Sequence, residues 1–336
     1  MYNIAVIAGG NSGEYEVSLK TADNIFNRLD RSIFNPYLIN FKDTDWTYTD
    51  DAGNRHDIDR NDFSLLLNGQ KVTFDLAFIA IHGTPGENGM LQGFFEMIHL
   101  PYTGCGVCCS ALTFNKFYCC LSVASLGVPV APSVHLHRND KVDYVQIASV
   151  CGYPCFVKPC NSGSSVGVSK VHSRDELDRA LAEAFRYDDQ LLIEKFIKGR
   201  ELTCGVTSVY GDVRTLAVTE VVASNEFYDY DAKYTDCGHR LITPAVLAEE
   251  ETRIVSQYSE TIFRGLDCRG VVRVDFILSE TDGKPYFLEV NTIPGQTVMS
   301  IVPGQVTYNG LDLKDFYTKM IFEALAERKE SENDPK

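Results

Sequence analysis

The 336-residue chain is short of positive charge: 31 lysines and arginines stand against 46 aspartates and glutamates, a formal net charge of −15. That deficit excludes the broad basic face a nucleic-acid partner requires, but it leaves room for a small charged substrate gripped by local cations in a cleft. Long hydrophobic runs are also missing. No stretch reaches the roughly 18 apolar residues of a membrane span. The opening Met1-Tyr2-Asn3-Ile4-Ala5-Val6-Ile7-Ala8 has no basic n-region or apolar h-region, so it reads as a strand and not as a leader. A cytoplasmic protein with no membrane or nucleic-acid partner is the expectation. Tryptophan occurs once and methionine five times.

Cysteine is the exception to this scarcity. Eleven are present, an odd number, scattered or doubled as at Cys108-Cys109 and Cys119-Cys120. Without export they do not form a disulfide framework. Cys105-Gly106-Val107-Cys108 has metal-knuckle spacing, yet no second pair follows at a matching interval. The expectation is reduced, buried thiols that behave as small hydrophobes, and no site.

An apolar fraction of 44% with 23% charged residues is ordinary globular composition. The length suits two or three packed domains. Ile4 to Ala8 is a buried-strand run ending at Gly9-Gly10. From Glu14 to Leu29, Val17, Leu19, Ala22, Ile25, Phe26 and Leu29 fall at helical spacing. Phe74 to Ile81 reads as a second strand, ahead of His82-Gly83 and the apolar run Leu91 to Ile98. This βαβ-type alternation predicts a parallel sheet with ligands at its C-terminal strand ends. A second unit is expected from Pro101, with a helix over Ser110 to Ser125, another over Val142 to Val150, the strand Cys155 to Lys158 and a helix from Arg174 to Phe185. A third opens at Leu191 to Glu194 and continues with antiparallel strands either side of Tyr210-Gly211-Asp212. A helix over Glu249 to Leu266, strands at Gly270 to Leu278 and Pro285 to Val290, a last helix and a polar tail complete it.

Four segments carry chemistry. In Val271 to Ile277, Arg273 and Asp275 share a strand face. Glu289 and Asn291 share one in the next strand. A hairpin about Asp282-Gly283 brings three oxygen ligands and one guanidinium together, a set suited to magnesium held jointly with phosphates. The glycine-serine loop from Lys158 to Val168 offers backbone N–H groups and a lysine to phosphate, though it is neither a Walker A loop nor a Gly-x-Gly-x-x-Gly fingerprint. Glu194-Lys195-Phe196-Ile197 ends a strand, and its carboxylate and that of Glu201 are placed to accept hydrogen bonds from an adenine or ribose. Glu14 and Glu16 stand at a helix start, where Glu14 favours the dipole and Glu16 remains available to an ammonium. His82 reads equally as a structural or a substrate contact.

Taken in order, Glu16-Val17-Ser18, His82 to Gly93, Lys158 to Gly167, Phe227 to Tyr234 and Arg273 to Ser300 resemble the D-alanine–D-alanine ligase family of the ATP-grasp superfamily, from Ile4 to about Leu325. The resemblance implies an α/β (α+β), three-domain ATP-grasp fold: an N-terminal parallel-sheet, Rossmann-like domain over 1–103, a central subdomain over 104–190, a C-terminal subdomain with the metal site over 191–330, and a tail over 331–336. It implies ATP-dependent joining of two D-alanines through an acyl phosphate, with two magnesium or manganese ions on Asp275, Glu289 and Asn291, Glu289 bridging. Lys116, Lys158 and Lys233 would meet the phosphates. Glu194, Lys195 and Ile197 would line the adenine and Glu201 the ribose. Glu16 would hold the first ammonium, Arg273 and the Gly295 N–H the oxyanion, and Ser300 the second carboxylate. Ser164 and Tyr234 would join two mobile loops over the site. The family also implies a homodimer. A D-lactate or D-serine acceptor is the nearest alternative reading, Tyr234 speaking for the dipeptide. A nucleotide-binding regulator would lack the three metal ligands, and a nicotinamide dehydrogenase would need a third glycine after Gly9-Gly10.

Overall fold

The computed structural model describes residues 1–223 and 239–333. The first part comprises β1 (Tyr2–Gly9), α1 (Tyr15–Arg28), β2 (Phe34–Lys42), β3 (Asp45–Thr49), β4 (Arg55–Asp59), β5 (Ser64–Leu67), β6 (Gln70–Val72), β7 (Leu76–Ile79) and α2 (Met90–Met97). Its seven strands form one sheet in the order β6-β5-β4-β3-β2-β1-β7. Only β2-β1-β7 is parallel; β2 to β6 run antiparallel. The expected parallel sheet is therefore mixed. The reason is chain length: two residues, Asp43-Thr44 or Asn68-Gly69, join neighbouring strands there, and a parallel connection needs a crossover of a dozen or more. Asn68 and Gly69 both have positive φ (51° and 76°), the conformation an Asn-Gly hairpin favours.

The middle of the chain holds α3 (Val107–Phe114), α4 (Lys116–Ser125), β8 (Ser133–His137), α5 (Tyr144–Val150), β9 (Cys155–Pro159), β10 (Ser169–Val171), α6 (Arg174–Ala184) and β11 (Gln190–Lys195). The helix expected over Ser110 to Ser125 is two, bent by 107°. Asn115 makes the break. Its extended backbone ends α3, and its side chain accepts the Tyr118 N–H at 3.2 Å to cap α4. No single helix among the described residues is long and apolar enough to cross a membrane. The antiparallel sheet here runs β10-β9-β11-β8. Leu191 to Glu194, expected to open the third unit, thus pairs within the second.

The remaining elements are β12 (Gly199–Thr207), β13 (Arg214–Ala223), β14 (His239–Ile242), α7 (Glu249–Gly265), β15 (Val271–Ser279), β16 (Pro285–Asn291), α8 (Ile301–Tyr308) and α9 (Leu313–Asn333). The strands form an antiparallel sheet ordered β14-β13-β12-β15-β16. Where one last helix and a frayed tail were expected, α9 carries regular helix to Asn333, and Glu327 accepts a 2.9 Å ion pair from Arg269. Three apolar cores lie under the three sheets. A further one gathers α1, β1, β7, α8 and α9 through Ile25, Phe78, Val306, Phe316 and Tyr317, tying the last helices to the first sheet. Hydrogen bonds of Gln296 with Thr21, Asn24 and Tyr317 hold the loop after β16 against α1 and α9.

Candidate active site

The site forms where the ends of β1, β7, β9, β15 and β16 meet. Ser18, buried on α1, accepts the Gly9 N–H at 2.8 Å and donates to the Ala80 carbonyl at 2.7 Å, which holds the ends of β1 and β7 together. Gly9 has φ 102°, and a Cβ there would lie 2.3 Å from the Phe41 carbonyl oxygen, so no side chain fits. His82 bridges to the far loop. Its Nδ1 bonds the Ile293 carbonyl at 2.9 Å, which assigns the proton to Nδ1, and its Nε2 then accepts from the Thr21 hydroxyl at 3.0 Å. The imidazole is structural, and burial pushes its pKa down. An unfolded histidine protonates near pH 6.5 whereas the buried one resists, so stability falls as pH drops below about 6.5. Thermal melts from pH 8 to 5 should show that loss, and His82→Gln should flatten it.

The hairpin matches its expected register. Arg273 pairs with Asn291 and Asp275 with Glu289 across β15 and β16, with an irregularity just beyond Asp275. Such bulges re-aim side chains beside active sites. Arg273 grips Asp275 with two N–H groups, Nε to Oδ1 at 2.9 Å and Nη2 to Oδ2 at 2.7 Å, and the Thr203 hydroxyl donates to Oδ1 at 2.5 Å. Asp275 is buried. A carboxylate offers about four acceptor positions, so Asp275 retains capacity for a cation. Three oxygen donors from Asp275, Glu289 and Asn291 on paired positions, without sulfur or imidazole, fit a hard divalent ion. The Asn291 side-chain oxygen also accepts the Ile293 N–H at 3.0 Å, which orients it.

Across the cleft, Lys158 on β9 forms an ion pair with Glu194 on β11, whose side chain is only 4% exposed. Burial opposes the lysine charge, but Glu194 outweighs it, and Glu289 adds to the pull; the ammonium pKa is raised. Glu194, expected along the adenine, pairs here with Lys158. Lys116, the first residue of α4, bonds the Ser162 carbonyl and so meets the glycine-serine loop, which the Asn115 break makes possible. In that loop Ser164 and Ser165 have φ of 49° and 58° and Gly167 has 75°. A Cβ on Gly167 would sit 2.7 Å from the Tyr187 ring. Lys195 is exposed at the end of β11, Ile197 and Glu201 are half-buried beyond it, and the Gly295 backbone lies against Ser300, whose hydroxyl accepts the Thr297 N–H at 3.0 Å. Lys233 and Tyr234, with the segment Phe227 to Tyr234, lie outside the described residues.

Glu14 and Glu16 are placed differently. Glu16, on the first turn of α1, is exposed. Glu14, at the N-cap, instead directs a carboxylate oxygen into the cleft, 3.3 Å from where a Cβ of Gly163 would stand and 3.8 Å from one on Gly83. It also acts electrostatically on Glu87, which burial and Glu14 together push up to about 8. Glu14 precedes the first helical residue, Tyr15, whereas Glu16 lies within α1.

A family model for the D-Ala D-Ala ligase N-terminus matches residues 3–105, and one for the D-Ala D-Ala ligase C-terminus matches 122–322. The chain belongs to the D-alanine–D-alanine ligase family. It is 43% identical over 327 residues to the D-alanine–D-alanine ligase of Parabacteroides distasonis, covering 97% of this chain and 98% of that one. Against the same enzyme of Bacteroides fragilis it is 43% identical over 319 residues, or 95% and 98% of the two chains. Among solved structures, D-alanyl-alanine synthetase A of Vibrio cholerae superposes with a TM-score of 0.88 at 31% identity, over 97% of this chain and 98% of that. The VanG D-Ala:D-Ser ligase of Enterococcus faecalis does so at 0.87 and 32%, over 96% and 99%. The Bacillus anthracis D-alanine–D-alanine ligase complexed with ATP gives 0.80 and 26%, over 98% and 100%.

Proposed function

We infer that this ligase joins two D-alanine molecules to D-alanyl-D-alanine while splitting ATP to ADP and phosphate, a step of peptidoglycan precursor synthesis. The observation that carries the reading is Lys158, a lysine leading into the glycine-serine loop that is ion-paired with the buried Glu194.

Lys158 and Lys116 bind the terminal phosphates, and a lysine ammonium has three donors, enough to serve Glu194 and a phosphate together. The carboxylate of the first D-alanine attacks the γ-phosphorus; the bond to the β-γ bridging oxygen breaks and ADP leaves. The amine of the second D-alanine then attacks the acyl carbon, the carbon–oxygen bond to phosphate breaks, and the amine loses a proton. Arg273 and the Gly295 N–H stabilise the oxyanion between these events. Asp275, Glu289 and Asn291 would hold magnesium or manganese, which would supply charge neutralisation for the phosphates. Glu14, not Glu16, holds the first substrate's ammonium, because it is the carboxylate aimed at the phosphate loop.

Three measurements test this. Phosphate release with ATP and magnesium should depend on D-alanine and yield the dipeptide; turnover that ignores D-alanine sinks the assignment. D-serine or D-lactate offered in place of the second D-alanine reads the acceptor directly. Glu14→Gln should raise KM for the first D-alanine at least tenfold, the scale of one lost charge-assisted hydrogen bond. Glu16→Gln should change it less than threefold. The reverse ranking would return the role to Glu16.

A further inference from the structure

Away from this cleft, three thiols converge. Cys105 precedes Gly106, the N-cap of α3; Cys109 follows four residues later on its first turns; Cys268 lies in the turn between α7 and β15. Their sulfur atoms all lie within 4.8 Å of one another, and the Cys109 and Cys268 sulfurs are 3.6 Å apart. All three are buried, at 2%, 5% and 6% exposure, while neighbouring Cys108 faces solvent. No other group of three His, Cys, Asp or Glu among the described residues is gathered this closely.

We propose that Cys105, Cys109 and Cys268 form a trithiolate site for a thiophilic divalent metal ion of the zinc class, separate from the magnesium site. Zinc–sulfur bonds of about 2.3 Å set sulfurs roughly 3.8 Å apart in a tetrahedron and roughly 4.0 Å apart in a trigonal plane. The Cys109–Cys268 spacing of 3.6 Å lies just below these values and the other pairs are within 4.8 Å, so shifts of about an ångström suffice. Binding converts three thiols and one divalent ion into a complex of net charge −1 and releases three protons. The surroundings suit that anion. The Arg269 backbone N–H donates to the Cys105 sulfur at 3.5 Å, and the Arg269 guanidinium, paired with Glu327 at 2.9 Å, is the nearby cation. An entry path exists, because Cys268 and Arg269 line a cleft of about 860 Å³ that also holds Asp267, Glu323 and Glu327. A bound ion would pin the start of α3 to the turn three residues ahead of β15.

The test titrates the full chain with Co2+ in excess Mg2+ and a phosphine reductant. Magnesium keeps cobalt from the oxygen donors of the cleft, and only thiolate ligation gives intense sulfur-to-cobalt charge-transfer absorption. One thiolate-bound cobalt per chain is expected. Cys108→Ser should keep the band, and Cys109→Ser and Cys268→Ser should lose it. No band in the unaltered chain, or a full band in folded Cys268→Ser, overturns the proposal. Should the serine variants not fold, X-ray absorption of the zinc-loaded unaltered chain decides: three sulfur neighbours at about 2.3 Å are expected, and a shell of oxygen and nitrogen alone overturns it.

Discussion

Arg273→Ala lowers kcat roughly 100-fold, a loss of about 2.7 kcal/mol in transition-state stabilisation, while KM for ATP moves little. The guanidinium presents five N–H donors in a fixed fork. Two of its nitrogens already hold Asp275, which aims the remaining donors into the cleft and removes the freedom that would weaken an oxyanion contact. Steady-state phosphate release with saturating D-alanine measures the effect. Arg273→Lys restores the charge but not the fork, so it should recover only a small part. Turnover within threefold of the unaltered enzyme in Arg273→Ala would remove this residue from the chemistry.

Glu194→Gln should cost about 3 kcal/mol of stability, because it strands the Lys158 ammonium without its partner where both side chains are largely out of water. Urea unfolding at pH 7 measures it. The double substitution Lys158→Met with Glu194→Leu should be more stable than Glu194→Gln alone, since an apolar pair leaves no uncompensated charge, but it should be inactive. The sign with pH also follows. Lys158's folded pKa is raised, so its contribution is fully present below the unfolded value of about 10.4 and is lost only above it. Between pH 6 and 9 the penalty should therefore be constant. A penalty below 1 kcal/mol would mean that water reaches the pair freely.

Much of the β15–β16 hairpin is legible in the sequence, because a period of two on both strands and the Asp282-Gly283 turn leave one sensible pairing, and that pairing is the one found. The helices α1, α6 and α7 were legible for a similar reason: each has an apolar stripe at helical spacing. The strands between Lys42 and Val72 were not read. They are short and largely exposed, so they carry weak alternation, although Asn68-Gly69 was a usable hairpin signal. The break at Asn115 was missed because the apolar pattern continues through it, and only the capping side chain marks the turn.

The sequence alone determined the residue types of the candidate cleft, the order in which they occur and the strands that carry most of them, since these depend on local periodicity and turn chemistry. Tertiary structure decided the partnerships. It set the Glu14 carboxylate beside Gly163 and Gly83, gave Glu194 to Lys158, made His82 a bridge, and brought Cys268 to within reach of two thiols some 160 residues earlier. None of these follows from spacing along the chain. Each depends on which sheet faces are buried against each other, and that is fixed only when the separate cores pack together.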